Sequence, residues 1–502
     1  MDMVCSERSR RRLIAAVVLA LTGAVCSPAW ALREGNQATW DKTTSVAPDS
    51  EAGGWWINLG ITGARAKIPD NMPTCLEVTY VFKDTPAFGK LDVGDKIGGV
   101  NGRPFVTPHK FGYGMDKFGY EGPMMDFGNA LEESQGPKAK GRLILDVLRA
   151  DKKIKVELNI GTKYGQFSAT YPYDCKKTDI ILRECYQYLI NSQKPNGLWS
   201  GRPHINAFAA LALMASGEPK CMPMVKRAVE AMAAGTHGTT ERSGGLPCWQ
   251  YGLYGATLAE YYLLTGEKWV LPEMQEINNW LKLAQSPRGG WGHSPWDDSP
   301  GGKNGYGPIN VITLQALMAW GLMDRCGMEI DQKRFAAGHD FVAKGINSIG
   351  YVWYKDGGAG KSGYADMGRT GAAALAFYLS PLGGTEYQRT SKLCAKCIAE
   401  NPKTFPDTHG SPVLGMVWTA LGAAADGDCL RRLMDYNRWE FNLAHCPDGT
   451  FYYQPNRDNN PQDFAAGPRL SATAATALIL SLKHKKLQMT GAPLVVRKLP
   501  GK

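Results

Sequence analysis

HINAFAALALMASG (204–217) is a run of helix length without a single Asp, Glu, Lys or Arg, in which only His204, Asn206 and Ser216 are polar. Stretches of the same kind, rich in Ala and Gly, return at YGLYGATLAEYYLLTG (251–266), YGPINVITLQALMAWGLM (306–323), GYADMGRTGAAALAFYL (363–379), HGSPVLGMVWTALGAAADG (409–427) and AGPRLSATAATALILSL (466–482). Their starts fall 47, 55, 57, 46 and 57 residues apart. Before each lies an amphipathic segment, near 176–193, 219–234, 272–285, 331–347, 385–401 and 428–443, with Lys, Glu and Arg on one face, as in KRAVEAM (226–232). A unit recurring at this period marks an array of helical hairpins. Small side chains let helix backbones approach closely. The Ala/Gly-rich set is therefore expected to form an inner ring, and the amphipathic set an outer ring with one face in water. Six such hairpins over 174–483 close naturally into a barrel of twelve helices.

The chain ahead of the repeats is of another kind. Arg8, Arg10, Arg11 and Arg12 precede the apolar run LIAAVVLALTGAV, and Ala29-Trp30-Ala31 supplies a small-x-small pattern. That order predicts a cleaved secretory signal over 1–31, too short for a membrane span, and hence an exported protein, periplasmic or secreted. A linker over 32–52 follows. No later stretch stays apolar for the roughly 18 residues that a spanning helix needs. Of the net charge of +10, the signal holds two (four Arg against Asp2 and Glu7) and the last twenty residues hold six, which leaves +2 for the body. A polyanion-binding surface is not implied, and no nucleic-acid motif is present. The basic tail, 484–502, reads as a solvated, frayed end.

Two of the twelve cysteines lie in the signal. Ten remain: Cys75, Cys175, Cys185, Cys221, Cys248, Cys326, Cys394, Cys397, Cys429 and Cys446. An even count in an exported protein permits disulfides, whose pairing a sequence cannot give. Cys394-Ala-Lys-Cys397 stands alone in a helical stretch and reads as a structural thiol pair or local disulfide rather than a metal or redox site.

From Trp55 to about Gly161 the pattern is short strands broken by Gly and Pro, with INLGITGARAKI (57–68) and LEVTYVF (76–82) alternating and GRLILDVLRADKKIKVELNIG (141–161) reading as a hairpin. Between them, KDTPAFGKLDVGDKIGGVNGRPF (83–105) carries Pro86-Ala87, Gly94-Asp95 and Val100-Asn101-Gly102. This order resembles the PDZ signature of exported bacterial proteins and assigns 53–161 to a PDZ-like domain. The resemblance implies a small barrel with one open strand edge beside a helix near DFGNALEESQ (126–135). An extended peptide or protein C-terminus would add to that edge, its carboxylate caught by Asn58, Leu59, Gly60 and Ile61. The long aromatic insert FVTPHKFGYGMDKFGYEGPMM (105–125) could cover this groove, leaving a docking platform that binds no free peptide.

The repeat half, through Asn196-Gly197-Leu198-Trp199 and Gly289-Gly290-Trp291, resembles the (α/α)6 toroids of terpenoid cyclases and protein prenyltransferases, a barrel shared by polysaccharide lyases and several glycosidases. The whole chain looks like an exported bacterial protein pairing a PDZ-like domain with a squalene-cyclase-like toroid, a group mostly without assigned function. The expected fold is multidomain α+β: a small PDZ-like β-barrel, then an all-α (α/α)6 toroid of six helical hairpins. Every long loop then joins an outer helix to the start of an inner one, so all six lie at one rim, around helix N-termini that favour anions.

Those loops hold the candidate site. The candidate catalytic residues are His293, Asp297, Asp298, Tyr364, Asp366, Arg369, Asp407 and His409. The candidate substrate-binding residues are His204, His237, Trp291, Trp296, Tyr306, Tyr354, Tyr452, Tyr453 and Arg469. Each has an ordinary alternative, such as Asp297-Asp298 making turns or Trp291 wedging between hairpins. Their convergence at one rim is more than folding requires, and barrel mouths are preferred pockets.

The best-known activities of the resembled families lack their motifs here. No Asp-x-Asp-Asp or Asp-Asp-x-x-Asp string occurs, and neither the prenyltransferase zinc ligands nor a Gly-Cys-Gly-Glu-Gln thioester is recognisable. Terpenoid cyclase and prenyltransferase activities are therefore disfavoured, and fold alone assigns no function. No metal ligand or cofactor is named by the sequence. A glycan enzyme fits the residue types. A lyase needs a base and a cation on the uronate carboxylate, for which His293 or Tyr364 and Arg369 or Arg469 are candidates. A glycosidase needs two carboxylates, Asp297 or Asp298 with Asp366 or Asp407. The competing class is a non-catalytic scaffold that binds a protein or ligand.

Overall fold

The computed structural model describes residues 57–110, 119–238, 246–296, 307–357, 366–407, 412–454 and 468–497. It begins with an antiparallel sheet of β1 (Ile57–Asn58), β2 (Ala64–Lys67), β3 (Leu76–Val81), β4 (Lys96–Val100), β5 (Arg103–Pro104), β6 (Arg142–Arg149) and β7 (Lys152–Asn159), in the order β1-β2-β3-β4-β6-β7 with β5 on β4. One helix, α1 (Pro123–Ser134), covers it. The β6–β7 hairpin turns through Ala150 and Asp151, both at positive φ, the two-residue geometry whose twist matches that of the flanking strands.

The rest of the chain is helical. α2 (Lys176–Ser192), α4 (Met222–Thr236), α6 (Leu271–Ala284), α8 (Gln332–Ala343), α10 (Gly384–Glu400) and the broken pair α12 (Gly427–Tyr436) and α13 (Arg438–Ala444) are the amphipathic set. They alternate with α3 (Pro203–Ala215), α5 (Pro247–Thr265), α7 (Asn310–Arg325), α9 (Gly368–Leu379), α11 (Pro412–Ala423) and α14 (Pro468–Ser481). The second set packs in succession, α3 on α5, α5 on α7, α7 on α9, α9 on α11, α11 on α14, and α14 meets α3 again. Small residues make this possible. A Cβ on Gly371 would stand 2.1 Å from the carbonyl oxygen of Trp418, and one on Gly368 2.6 Å from the Cα of Gly415, so α9 and α11 approach backbone to backbone.

Three expectations are corrected. The first concerns the peptide-binding loop Asn58, Leu59, Gly60 and Ile61, which is buried. α13 lies against it and against α1: Asn58 Nδ2 donates to the Leu443 carbonyl at 2.6 Å, and a Cβ on Gly60 would meet the Asn442 carbonyl oxygen at 2.6 Å. A Cβ on Gly128 of α1 would likewise meet the Trp439 carbonyl at 2.5 Å. The loop expected to receive a foreign chain end is covered by the protein's own helix. A buried polar chain supports the contact, with Lys177 Nζ donating to Asn442 Oδ1 (2.7 Å) and Asn442 Nδ2 to Glu132 Oε2 (3.1 Å).

The second concerns the cysteines: the ten among the described residues are buried and unbridged. Burial pushes the thiols of Cys75 and Cys429 up to about 11, so they are packing groups rather than nucleophiles. The third concerns the tail, which through residue 497 is docked rather than frayed. Glu260 of α5 accepts the backbone N–H groups of Gln488 (3.0 Å) and Met489 (2.7 Å), and Arg497 donates to the Leu263 carbonyl (2.9 Å).

Candidate functional site

Four helices of the amphipathic set leave through one and the same turn. Lys194, Ser286, Asn347 and Cys446 each donate N–H to the carbonyl four residues on, at 2.8–3.0 Å. Gly197, Gly289, Gly350 and Gly449 each close the turn at φ of 83–92°, where an L side chain is strained. The backbone N–H two residues after each glycine is then held by the following helix of the second set: Trp199 by Asn206 Oδ1, Trp291 by Thr313 Oγ1, Val352 by Thr370 Oγ1 and Phe451 by Thr473 Oγ1. This device ties each hairpin together. Trp291 belongs to it: fully buried, its indole N–H donates to the Leu281 carbonyl at 2.9 Å and its ring meets Trp320 edge-on. It is a packing group and not part of a substrate surface, which corrects its assignment above.

Beyond these turns the loops are stitched side by side. Cys248 N–H donates to the His293 carbonyl (3.2 Å), Asn310 N–H to that of Tyr354 (3.0 Å), and Asp366 N–H to that of Asp407 (2.9 Å). His293, Tyr354, Asp366 and Asp407 therefore lie along one line of consecutive connections. Asp297, Asp298, Tyr306, Tyr364 and His409 lie outside the described residues.

The chemistry of the described candidates is now constrained. Asp366 is buried, stands at φ 59° and forms an ion pair with Arg369, itself buried. Burial works against the arginine's charge, but Asp366 and Tyr351 outweigh it and hold its pKa above the ordinary value. Arg369 also lies over the Tyr354 ring, 5.5 Å from its centre, and donates to Tyr351 Oη at 3.4 Å. Arg469 is fully buried and ion-paired with Asp448. Both arginines lie in the first turn of a helix, where a bare positive charge would oppose the dipole, and each is offset by its own carboxylate. Neither is a free clamp, which corrects that expectation.

His293 is half-buried, and burial lowers its pKa. Its Nδ1 accepts the indole N–H of Trp249 at 2.9 Å. The neutral ring accordingly carries its proton on Nε2, which can donate but offers no lone pair to a substrate proton. His293 is a donor, and the general-base assignment is corrected. Trp296, three residues on, is 40% exposed.

The remaining candidates are dispersed. Tyr452 is buried beneath the guanidinium of Arg65, 3.6 Å from its ring centre, at the contact between sheet and helices, and Tyr453 is buried beside it. His204 is buried at the start of α3 with its ring toward Phe208. His237 is exposed at the end of α4 and turns to Glu273 and Glu276 of α6. Sequence reasoning missed Trp249, Tyr351 and Asp448, the partners that set the states of His293, Arg369 and Arg469. Of the four turns, the sequence marked two, through Asn196-Gly197-Leu198-Trp199 and Gly289-Gly290-Trp291, and missed those at Gly350 and Gly449.

No curated protein matches the chain. Among solved structures, an inactive variant of the alpha-1,6-mannanase GH76A of Salegentibacter sp. HEL1_6, in complex with alpha-1,6-mannotriose, is 12% identical with a TM-score of 0.46, covering 62% of this chain and 98% of that one. A type II terpene cyclase, MstE from Scytonema, in complex with geranylgeranyl dihydroxybenzoate, is 14% identical at 0.42 over 62% and 98%. A protein from Actinoplanes is 14% identical at 0.42 over 60% and 98%. At scores below one half these similarities carry no functional argument. The model of one family matches residues 178–491, more than half of the chain, and the protein thus belongs to the family described as Domain of unknown function (DUF6288).

Proposed function

We propose that the protein is an exported glycan-acting enzyme of the hydrolase type, with its site in the loops that lead into α5, α7, α9 and α11. The reading that the helical half is an (α/α)6 toroid, and that 53–161 is a PDZ-like module after a signal over 1–31, belongs to the same proposal. The observation that carries it is the state of the charged groups. A lyase needs a free cation and a free base, yet among the described candidates Arg369 and Arg469 are each ion-paired with an aspartate and His293 has its acceptor nitrogen filled by Trp249, while the other candidate base, Tyr364, lies outside the described residues. A hydrolase needs one ionised and one protonated carboxyl. Asp366, which lies on the stitched line of connections, is one candidate carboxyl, and Asp297 or Asp298 on the neighbouring connection is the candidate for the other. The Trp296 ring, 40% exposed, supplies a flat apolar face of the kind on which sugar rings stack.

The non-catalytic alternative has its own support in the sheet unit. Its groove is filled by α13, so this module serves as an intramolecular clamp rather than a receptor for free peptide.

A panel of neutral and uronate-containing polysaccharides tests the proposal. New reducing ends without the ultraviolet absorbance of unsaturated uronates are expected, with activity reduced at least 100-fold in Asp298→Asn and binding weakened in Trp296→Ala. Unsaturated products would establish a lyase. Glycan binding without turnover across the panel would establish the scaffold.

A further inference from the structure

Away from these loops, one imidazole faces more carboxylate oxygens than it has protons to give. His237 follows the last residue of α4, and its Nδ1 lies 3.1 and 3.2 Å from the two oxygens of Glu273 and 3.3 Å from Oε1 of Glu276. Glu273 and Glu276 stand three apart on α6 and so share a face. The Gly238 N–H donates to the other oxygen of Glu276 at 2.8 Å, which fixes that carboxylate with Oε1 turned to the ring. Nδ1 carries at most one proton, so a hydrogen bond satisfies one of the three nearby oxygens. Among the described residues no Lys or Arg forms an ion pair with either glutamate. Two carboxylates are held together against their mutual repulsion with a single imidazole between them.

We infer that His237, Glu273 and Glu276 form a divalent transition-metal site, of the zinc class, that staples the end of α4 to α6. Each residue offers one ligand atom, and these atoms lie within 4.8 Å of one another. Metal–nitrogen and metal–oxygen bonds of about 2.0–2.2 Å place neighbouring tetrahedral ligands roughly 3.3 Å apart, which matches the separations from Nδ1. The imidazole selects zinc-like ions over calcium or magnesium, which prefer oxygen alone. Three protein ligands leave a position for water or for another group.

Zinc alone, added to the full metal-free chain, tests this by titration calorimetry and by metal content after dialysis. One equivalent is expected in the wild type. His237→Ala and Glu276→Gln should each weaken binding at least tenfold while circular dichroism and the melting temperature of the metal-free chain stay near wild type. Zinc should raise the wild-type melting temperature and leave that of His237→Ala unmoved, and calcium should do neither. Absence of a binding event, or one that both variants retain, would overturn the inference.

Discussion

Gly289 shows how much of this molecule rests on single backbone positions. Its φ of 91° lies where a side chain is strained, and a Cβ there would stand 2.2 Å from the Ala337 carbonyl oxygen of α8. Gly197 and Gly350 meet the backbones of Arg227 and Leu393 in the same way. One residue type thus satisfies both the turn and the packing of one hairpin on the next. Gly289→Ala is expected to cost about 3 kcal/mol or more, read from the denaturant midpoint, because strain and a backbone clash add. Gly357, at φ 76° but facing open space, should cost only about 1 kcal/mol on the same change. Equal losses at the two sites would show that packing against α8 contributes little. At this scale the sequence was readable in part. The Gly-Trp pieces stood out, but whether Trp291 faced a ligand or the core depended on a distant Thr313 and Trp320.

At the scale of elements, α13 is the piece whose position no local pattern announces. The amphipathic segment expected near 428–443 is broken at Asn437, and its second half turns onto the sheet. Glu440 within it is fully buried, and burial pushes its carboxyl up to about 8. The folded state thus keeps a proton that the unfolded chain releases near pH 4.3, so the stability it contributes declines as pH rises and is lost by about pH 8. Buried His445 and His339 act oppositely, since burial lowers their pKa values, but their contribution is complete above about pH 6.5. Lys177, lowered to about 8 chiefly by burial, acts only above that value. Between pH 6.5 and 8 the wild type should therefore lose melting temperature, and Glu440→Gln should flatten much of that slope. An unchanged slope in the variant would assign the titration elsewhere, with Glu260, raised to about 7 by burial, the next candidate.

Taken whole, the molecule is one continuous core from Ile57 to Met489, sheet and helices together. The sheet unit is clamped by α13, and the far end of the chain is drawn in by Glu260 of α5. A chain ending at Lys486 would lose the two N–H groups that Glu260 accepts and leave a buried carboxylate without them. Such a truncation should destabilise by several kcal/mol, whereas Glu260→Gln in the full chain should cost less, because the amide oxygen still accepts an N–H of the docked tail while the truncation leaves a buried acceptor with no partner there. A truncated chain as stable as the full one would show the docked tail to be ornamental.

Much of this was determined by local chemistry that a sequence displays. Period, alternation, small-residue content and charged faces depend only on neighbours within a few turns, and they located the alternating helices and the β6–β7 hairpin, while the helix at α1 was expected from the PDZ resemblance. The state of each candidate group was decided elsewhere. Arg469 is neutralised by Asp448, His293 is fixed by Trp249, and the loop at Asn58–Ile61 is filled by α13, each across a separation in sequence that no periodicity spans. Protonation, exposure and vacancy are properties of what lies opposite a residue in space. Only the folded chain brings those partners together.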